Sequence, residues 1–126
     1  MIHVCCAIIE HKGKILICQR STKMKLPLKW EFPGGKIEEG ESKKACLVRE
    51  IKEELDIEIT VKCGLEMVSH QYDDFSICLH PFLASLDSGE PKAIEHAELR
   101  WVTSEDLLNY DWASADIPIV KEYLSL

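Results

Sequence analysis

Gly34-Gly35-Lys36-Ile37-Glu38-Glu39-Gly40-Glu41, continued by Ser42-Lys43-Lys44-Ala45-Cys46-Leu47-Val48-Arg49-Glu50-Ile51-Lys52-Glu53-Glu54-Leu55-Asp56-Ile57, is the stretch on which the reading of this chain turns. From Ser42 to Leu55 the composition changes to helix formers with no Gly or Pro inside, and Ser42 stands where an N-cap is needed, so one long helix is predicted. At about 100° per residue, Leu47, Val48, Ile51 and Leu55 share one side of it. Glu50, Glu53 and Glu54 fall within an arc of about 100° beside that stripe. Like charges at helical neighbour spacing cost about 0.2–0.5 kcal/mol per pair, Lys43, Lys44 and Lys52 give partial relief, and a bound divalent cation reverses the sign. A solvated Glu-rich face is the ordinary explanation of such a string. The neighbourhood argues for the cation: a glycine pair lies upstream, Glu38, Glu39 and Glu41 form a second acidic cluster, and Arg49 sits beside the stripe. Hard oxygen donors suit Mg²⁺ or Mn²⁺, and glycine at 34 and 35 lets a backbone carbonyl approach closely.

Outward from the helix, β-prone runs at 4–9 and 14–19 flank Glu10-His11-Lys12-Gly13, which predicts a hairpin. Residues 20–29 show no period, and Trp30-Glu31-Phe32-Pro33-Gly34-Gly35 reads as a strand tip running into a loop. Strands are expected again at 57–61, 67–70, 76–84 and 99–102, with a helix start at 103–108. A closing helix at 118–124 is expected to carry Ile117, Val120 and Leu124 as a stripe, with Pro118 at its entrance. Strands interleaved with helices predict a sheet covered by helices, in an α/β or α+β layered domain.

The chain has 126 residues, the length of one domain spanning 1–126. Hydrophobic residues at 46% and charged residues at 29% give a globular balance rather than a disordered one. With 15 basic and 22 acidic residues the net charge is −7, which repels a nucleic-acid backbone. A small anion delivered with a metal ion remains compatible, because carboxylates would hold the metal and not the phosphate. The apolar start has no basic region before it, and no run approaches the roughly 18 apolar residues of a membrane span, so a cytoplasmic location is expected. Cys5, Cys6, Cys18, Cys46, Cys63 and Cys78 lie in apolar stretches without CxxC spacing and read as buried, reduced thiols. His70 and His80 lack metal-ligand spacing and read as structural.

Gly35, five residues, Glu41, seven residues, Arg49-Glu50, then Ile51, Lys52, Glu53-Glu54, Leu55, Asp56 and Ile57 resembles the box of the Nudix family, with every charged position filled. Asp56 stands where the family has glycine. It is expected to end the helix in the left-handed conformation that Asp tolerates. Trp30 to Lys36 is similar to the approach to the box in MutT-type members, and Glu95 to Val102 to their later metal-proximal segment. Ala113-Ser114-Ala115-Asp116-Ile117-Pro118 is similar to the CTP pyrophosphohydrolase branch. The resemblance implies an α/β/α sandwich with a mixed sheet between helices. It also implies Mg²⁺-dependent hydrolysis of (deoxy)nucleoside triphosphates to monophosphate and pyrophosphate, favouring cytidine or modified dCTP substrates. Hydrolysis of 8-oxo-dGTP is the alternative within the class. A nucleotide-sensing module without catalysis is the alternative outside it, although its usual mark, loss of box carboxylates, is missing here.

The resemblance, together with the residue types themselves, assigns roles. Glu50, Glu53 and Glu54 hold Mg²⁺, or Mn²⁺ in its place, together with the Gly35 carbonyl, and Glu95 contacts metal or accepts a proton from water. Glu50 or Glu53 is the base, and Arg49 orients the carboxylates. Glu41 supports the loop or places charge near the helix N-terminus. Arg20 and Lys36 reach the phosphates or are plain surface cations. Asp116 accepts from an exocyclic amino group such as cytosine N4, or caps the last helix. Phe75 and Tyr72 stack on a base while Trp30 and Phe32 line the pocket, or all four are core. The expected partner is a small-molecule nucleotide, with no nucleic-acid polymer and no membrane, acting on a monomer or weak homodimer.

Overall fold

β1 (Ile2–His11) is apolar from Cys5 to Ile9, and all five of those residues are buried. A strand apolar on both faces requires cover on both, because successive side chains point to opposite sides of a sheet. The computed structural model, which describes residues 1–126, shows both covers. Cys5, Ala7 and Ile9 pack with Leu47, Ile51 and Leu55 of α1 (Lys43–Leu55). Cys6 and Ile8 pack on the other face with Leu107, Trp112, Ile119 and Val120, the last two from α2 (Ile117–Leu124).

The sheet between these layers is mixed. Its main path runs β3 (Trp30–Glu31), β2 (Lys14–Gln19), β1, β7 (Ser76–Ser88), β5 (Glu58–Gly64). β4 (Gly34–Lys36) pairs with β1, β6 (Val68–Gln71) with β7, and β8 (Glu98–Val102) with β2. The predicted hairpin is present: β1 and β2 are antiparallel, and Lys12 and Gly13 turn the chain at positive φ. β1 and β7 are parallel, in register from Ile2 opposite Ile77 to Glu10 opposite Ser85. The architecture is thus the sheet sandwiched between helices that the resemblance implied.

Several local expectations are corrected. Gly34 and Gly35 do not open a loop but form β4, with Gly35 opposite Cys5 and Gly34 opposite Cys6. Only glycine fits at 34, since a β-carbon there would fall on the Cys5 carbonyl. Residues 104–109 form a 3₁₀ segment rather than an α-helix, and β7 runs on to Ser88. On α1, Val48 is exposed, and Cys46 joins Leu47, Ile51 and Leu55 in the core. On α2 the buried pair is Ile119 and Val120, while Ile117 and Leu124 are each 39% exposed.

The ends of α1 follow the sequence reading. Ser42 Oγ accepts a hydrogen bond from the Ala45 N–H at 3.1 Å. Asp56 closes the helix at φ +56°, its N–H donating to the Lys52 carbonyl, and its carboxylate meets Lys52 and Lys92 at 3.2 and 3.1 Å. Five of the six cysteines are buried, but Cys63 is exposed. Cys5 and Cys46, far apart in sequence, bring their sulfurs to 2.8 Å beneath β4. No helix is long and apolar enough to cross a membrane.

Candidate active site

α1 presents its acidic flank to β4, and Arg49 organises it. The Arg49 guanidinium grips Glu41 through two N–H groups, Nε to Oε2 at 2.7 Å and Nη2 to Oε1 at 2.9 Å. Its Nη1 donates to Glu50 Oε1 at 2.9 Å and to Glu53 Oε2 at 3.3 Å. A planar fork of fixed donors sets carboxylate orientation in a way a flexible ammonium does not. The same bonds hold Glu41 down at about 2 and push the arginine further above its ordinary value. Glu41 therefore serves the loop by fixing Arg49, and its carboxylate also receives the Glu38 N–H at 3.1 Å. The Glu50 carboxylate lies directly against Gly35, where any β-carbon would collide with it.

Glu54 stands apart electrostatically. Burial first, then the negative charges of Glu50, Glu95, Glu31 and Glu53, push its carboxyl up to about 8. Its Oε2 is buried with no hydrogen-bond partner. A buried, unpartnered carboxylate oxygen among four other carboxylates is costly as it stands and suits a hard divalent cation, whose charge removes the repulsion. Five carboxylates thus converge from three parts of the chain: α1, β3 and the exposed Glu95 ahead of β8.

Beside Glu54 opens a cavity of about 300 Å³, the low end of the range for small-molecule sites. Arg20, Lys36, Phe75 and Asp116, scattered through the sequence, all line it, along with Gly35 and Glu54. Arg20 is no plain surface cation: its Nη1 is 2.7 Å from Glu31 Oε1, and its side chain is 19% exposed. Asp116 does not cap α2. Its side chain makes no cap bond; it is buried, and Oδ2 accepts the Phe32 N–H at 3.0 Å. Burial, followed by the Glu31 charge, raises Asp116 well above the usual carboxylate range, against the pull of the Phe32 N–H and Arg20. Tyr72 and Phe75 stack at 4.9 Å and 27°, and the Tyr72 hydroxyl accepts the Ala115 N–H at 2.9 Å. Lys25 Nζ sits 4.4 Å above the Phe75 ring. Phe32 reaches the cavity wall, whereas Trp30 turns into the core against Tyr110.

Sequence reasoning gave no role to Glu31 or His96. Glu31 bridges Arg20 and the buried His96, whose Nε2 is 3.0 Å from Glu31 Oε2, and it contributes to the Glu54 and Asp116 shifts. The available signal was a lone carboxylate between two core aromatics, Trp30 and Phe32, on a very short strand. His80 lies near His3 and Cys78, and His70 packs edge-on to Tyr72.

A family model described as the NUDIX domain matches residues 1–123. The chain belongs to the Nudix family. The CTP pyrophosphohydrolase of Escherichia coli (strain K12) is 43% identical over 128 aligned residues, covering 100% of this chain and 93% of the relative. The 8-oxo-dGTP diphosphatase of the same organism is 30% identical over 115 residues, covering 91% of this chain and 89% of the relative. The solution structure of the E. coli ORF135 protein superposes with a TM-score of 0.85 at 40% identity, covering 100% of this chain and 90% of that one. As a Nudix hydrolase the chain acts on nucleotide phosphoanhydride bonds, in a family that generally uses a divalent metal.

Proposed function

We propose that this Nudix hydrolase converts (deoxy)nucleoside triphosphates to monophosphate and pyrophosphate with Mg²⁺, Mn²⁺ being able to replace it, and favours cytidine or modified dCTP. The observation that carries the metal reading is the unpartnered, buried Glu54 oxygen amid Glu31, Glu50, Glu53 and Glu95. Glu50, Glu53, Glu54, Glu95 and the Gly35 carbonyl are the proposed ligands. When bound, the ion supplies neutralisation of polyphosphate charge and acidification of water.

The chain's own groups account for the remaining tasks. Glu50 is 15% exposed and held by Arg49 at 2.9 Å, while Glu53 is 60% exposed and held at 3.3 Å. A general base has to be placed within hydrogen-bond reach of its proton, so the better-held Glu50 is assigned to take the proton from water. Arg49 and Glu41 keep it aimed. Glu95 provides a further carboxylate for the metal. Arg20 and Lys36 face the phosphates from the cavity wall.

Base choice rests on Asp116. With Oδ2 committed to the Phe32 N–H, one oxygen is left for the cavity, and the raised pKa favours the protonated form. With the carbonyl oxygen holding the Phe32 N–H, a neutral carboxyl turns its Oδ1–H to the cavity as a donor to the N3 acceptor of cytosine, and a lone pair of that same oxygen is what remains to accept from the N4 amino group. Tyr72 and Phe75 provide an aromatic wall for the base. The 43% identity to a CTP pyrophosphohydrolase supports this reading, and the relative acting on 8-oxo-dGTP keeps that nucleotide as the second one. Pyrophosphate release from CTP, dCTP, 5-methyl-dCTP and 8-oxo-dGTP, with and without Mg²⁺, tests it. Cytosine nucleotides should lead and release should require the metal. Equal rates on all four would remove the role given to Asp116, and release undiminished by chelator would remove the metal.

A further inference from the structure

His3 of β1 and Cys78 and His80 of β7 form a second cluster of metal-ligating groups, with all three donor atoms within 4.8 Å of one another. In sequence this is only a Cys-x-His pair. The third group is brought in by the parallel register, which sets His3 opposite Cys78 and Cys5 opposite His80. Residues two apart on a strand share a face, so the three side chains project from the α1 face of the sheet. The cluster contains no carboxylate and shares no residue with the acidic flank of α1.

The spacing is that of a coordination sphere. His3 Nδ1 and His80 Nε2 stand 3.1 Å apart. Tetrahedral Zn²⁺ with Zn–N near 2.0–2.1 Å and Zn–S near 2.3 Å places nitrogen pairs about 3.3 Å apart and nitrogen–sulfur pairs about 3.6 Å apart. The imidazoles are therefore already at ligand spacing, and the thiol closes with a shift of little more than about 1 Å. His3 is exposed while Cys78 and His80 are buried, so the cluster has a solvent entrance and an enclosed floor.

We propose that His3, Cys78 and His80 form a Zn²⁺ site separate from the phosphate-hydrolysing centre, with water as the fourth ligand. Two nitrogens and a thiolate select Zn²⁺ over Mg²⁺, the reverse of the preference of carboxylates. On binding, the proton shared between the two imidazoles moves to a distal ring nitrogen, the Cys78 thiol loses its proton to solvent, and no electron transfer occurs. The ion clips the start of β1 to the start of β7, the one parallel strand pairing in the sheet.

Cobalt(II) reads the site directly. Titrated into the full chain in excess Mg²⁺, Co²⁺ should develop a thiolate-to-metal charge-transfer band, which a carboxylate site cannot produce. The band should persist in Cys63→Ser, which removes the exposed thiol, and vanish in Cys78→Ser. His3→Ala alters an exposed side chain and leaves the core intact, and it should weaken Co²⁺ binding by about tenfold or more. Zn²⁺ should raise the Tm of the wild type and not that of His3→Ala. Absence of the band at saturating Co²⁺, or a full band in Cys78→Ser, or equal Zn²⁺ shifts in wild type and His3→Ala, would overturn the site and leave a hydrogen-bonded histidine pair.

Discussion

Replacing Glu54 with Gln removes a carboxyl whose ionisation the folded, metal-free protein opposes. The carboxyl ionises at its ordinary value of 4.5 when unfolded and at about 8 in the fold, because burial and then the surrounding carboxylates oppose the anion. A raised carboxyl pKa means that the folded state binds the proton more tightly. Its contribution to stability is complete below 4.5 and is lost as pH climbs through 8. The slope between those limits is about 1.4 kcal/mol per pH unit, which, with titration tailing off near each limit, amounts to roughly 3–4 kcal/mol between pH 5 and pH 8. Glu54→Gln keeps the shape without the titration, so its stability relative to wild type should climb by that amount over the interval. Urea unfolding in EDTA at a series of pH values, followed by tryptophan fluorescence, measures the difference. With Mg²⁺ in excess the wild type should recover stability through ligand linkage while the variant does not, and the variant should release no pyrophosphate. A wild-type-to-variant difference that stays constant from pH 5 to pH 8 would refute the burial and crowding assigned to Glu54.

Gly35→Ala places a methyl on the Glu50 carboxylate and should lower kcat/KM for CTP by about 100-fold, since displacements of about 1 Å are costly at a reacting centre; activity within twofold of wild type would contradict the close approach. Arg49→Lys keeps the charge but loses the two-pronged grip on Glu41 and the shared contacts to Glu50 and Glu53. It should reduce kcat by about tenfold or more with KM little changed, as steady-state kinetics would show. Asp116→Asn should alter the ratio of kcat/KM between CTP and 8-oxo-dGTP by roughly 5–150-fold, the kinetic equivalent of about 1–3 kcal/mol of base discrimination; an unchanged ratio would relieve Asp116 of base reading.

What could be read from the sequence was what local physics decides. Ser42 and Asp56 mark the two ends of α1 because a cap needs a short oxygen and a left-handed stop tolerates Asp, and neither depends on distant residues. The β-prone runs at 4–9 and 14–19 around Lys12-Gly13 likewise announce the β1–β2 hairpin. The candidate site was legible where a motif places several groups on one helix flank, and Arg20, Lys36, Phe75 and Asp116 do meet around one cavity. Features set by long-range pairing were hidden. Gly34–Lys36 looked like a loop because glycine weakens a strand locally, yet β1 supplies the hydrogen bonds that make it one. Val48 was misplaced because which edge of an apolar stripe is covered depends on the packing of β1 and β4 against α1. The Arg20–Glu31–His96 chain joins β2, β3 and the segment before β8, and the orphaned Glu54 oxygen exists only once these elements close around it. Asp116 sits at a helix entrance like a cap, but the depth of its burial, invisible in sequence, sends it to Phe32 instead.

The carboxylates of α1 are proposed to hold a divalent ion required for phosphoanhydride hydrolysis. Titration with Mn²⁺ in the presence of a non-hydrolysable CTP analogue, with free ion counted by electron paramagnetic resonance, addresses it most directly. Wild type should take up Mn²⁺ in competition with Mg²⁺, and a Glu50→Gln, Glu54→Gln double variant should lose about tenfold or more of that affinity while still folding. Equal uptake by both proteins, or none by either, would contradict the account.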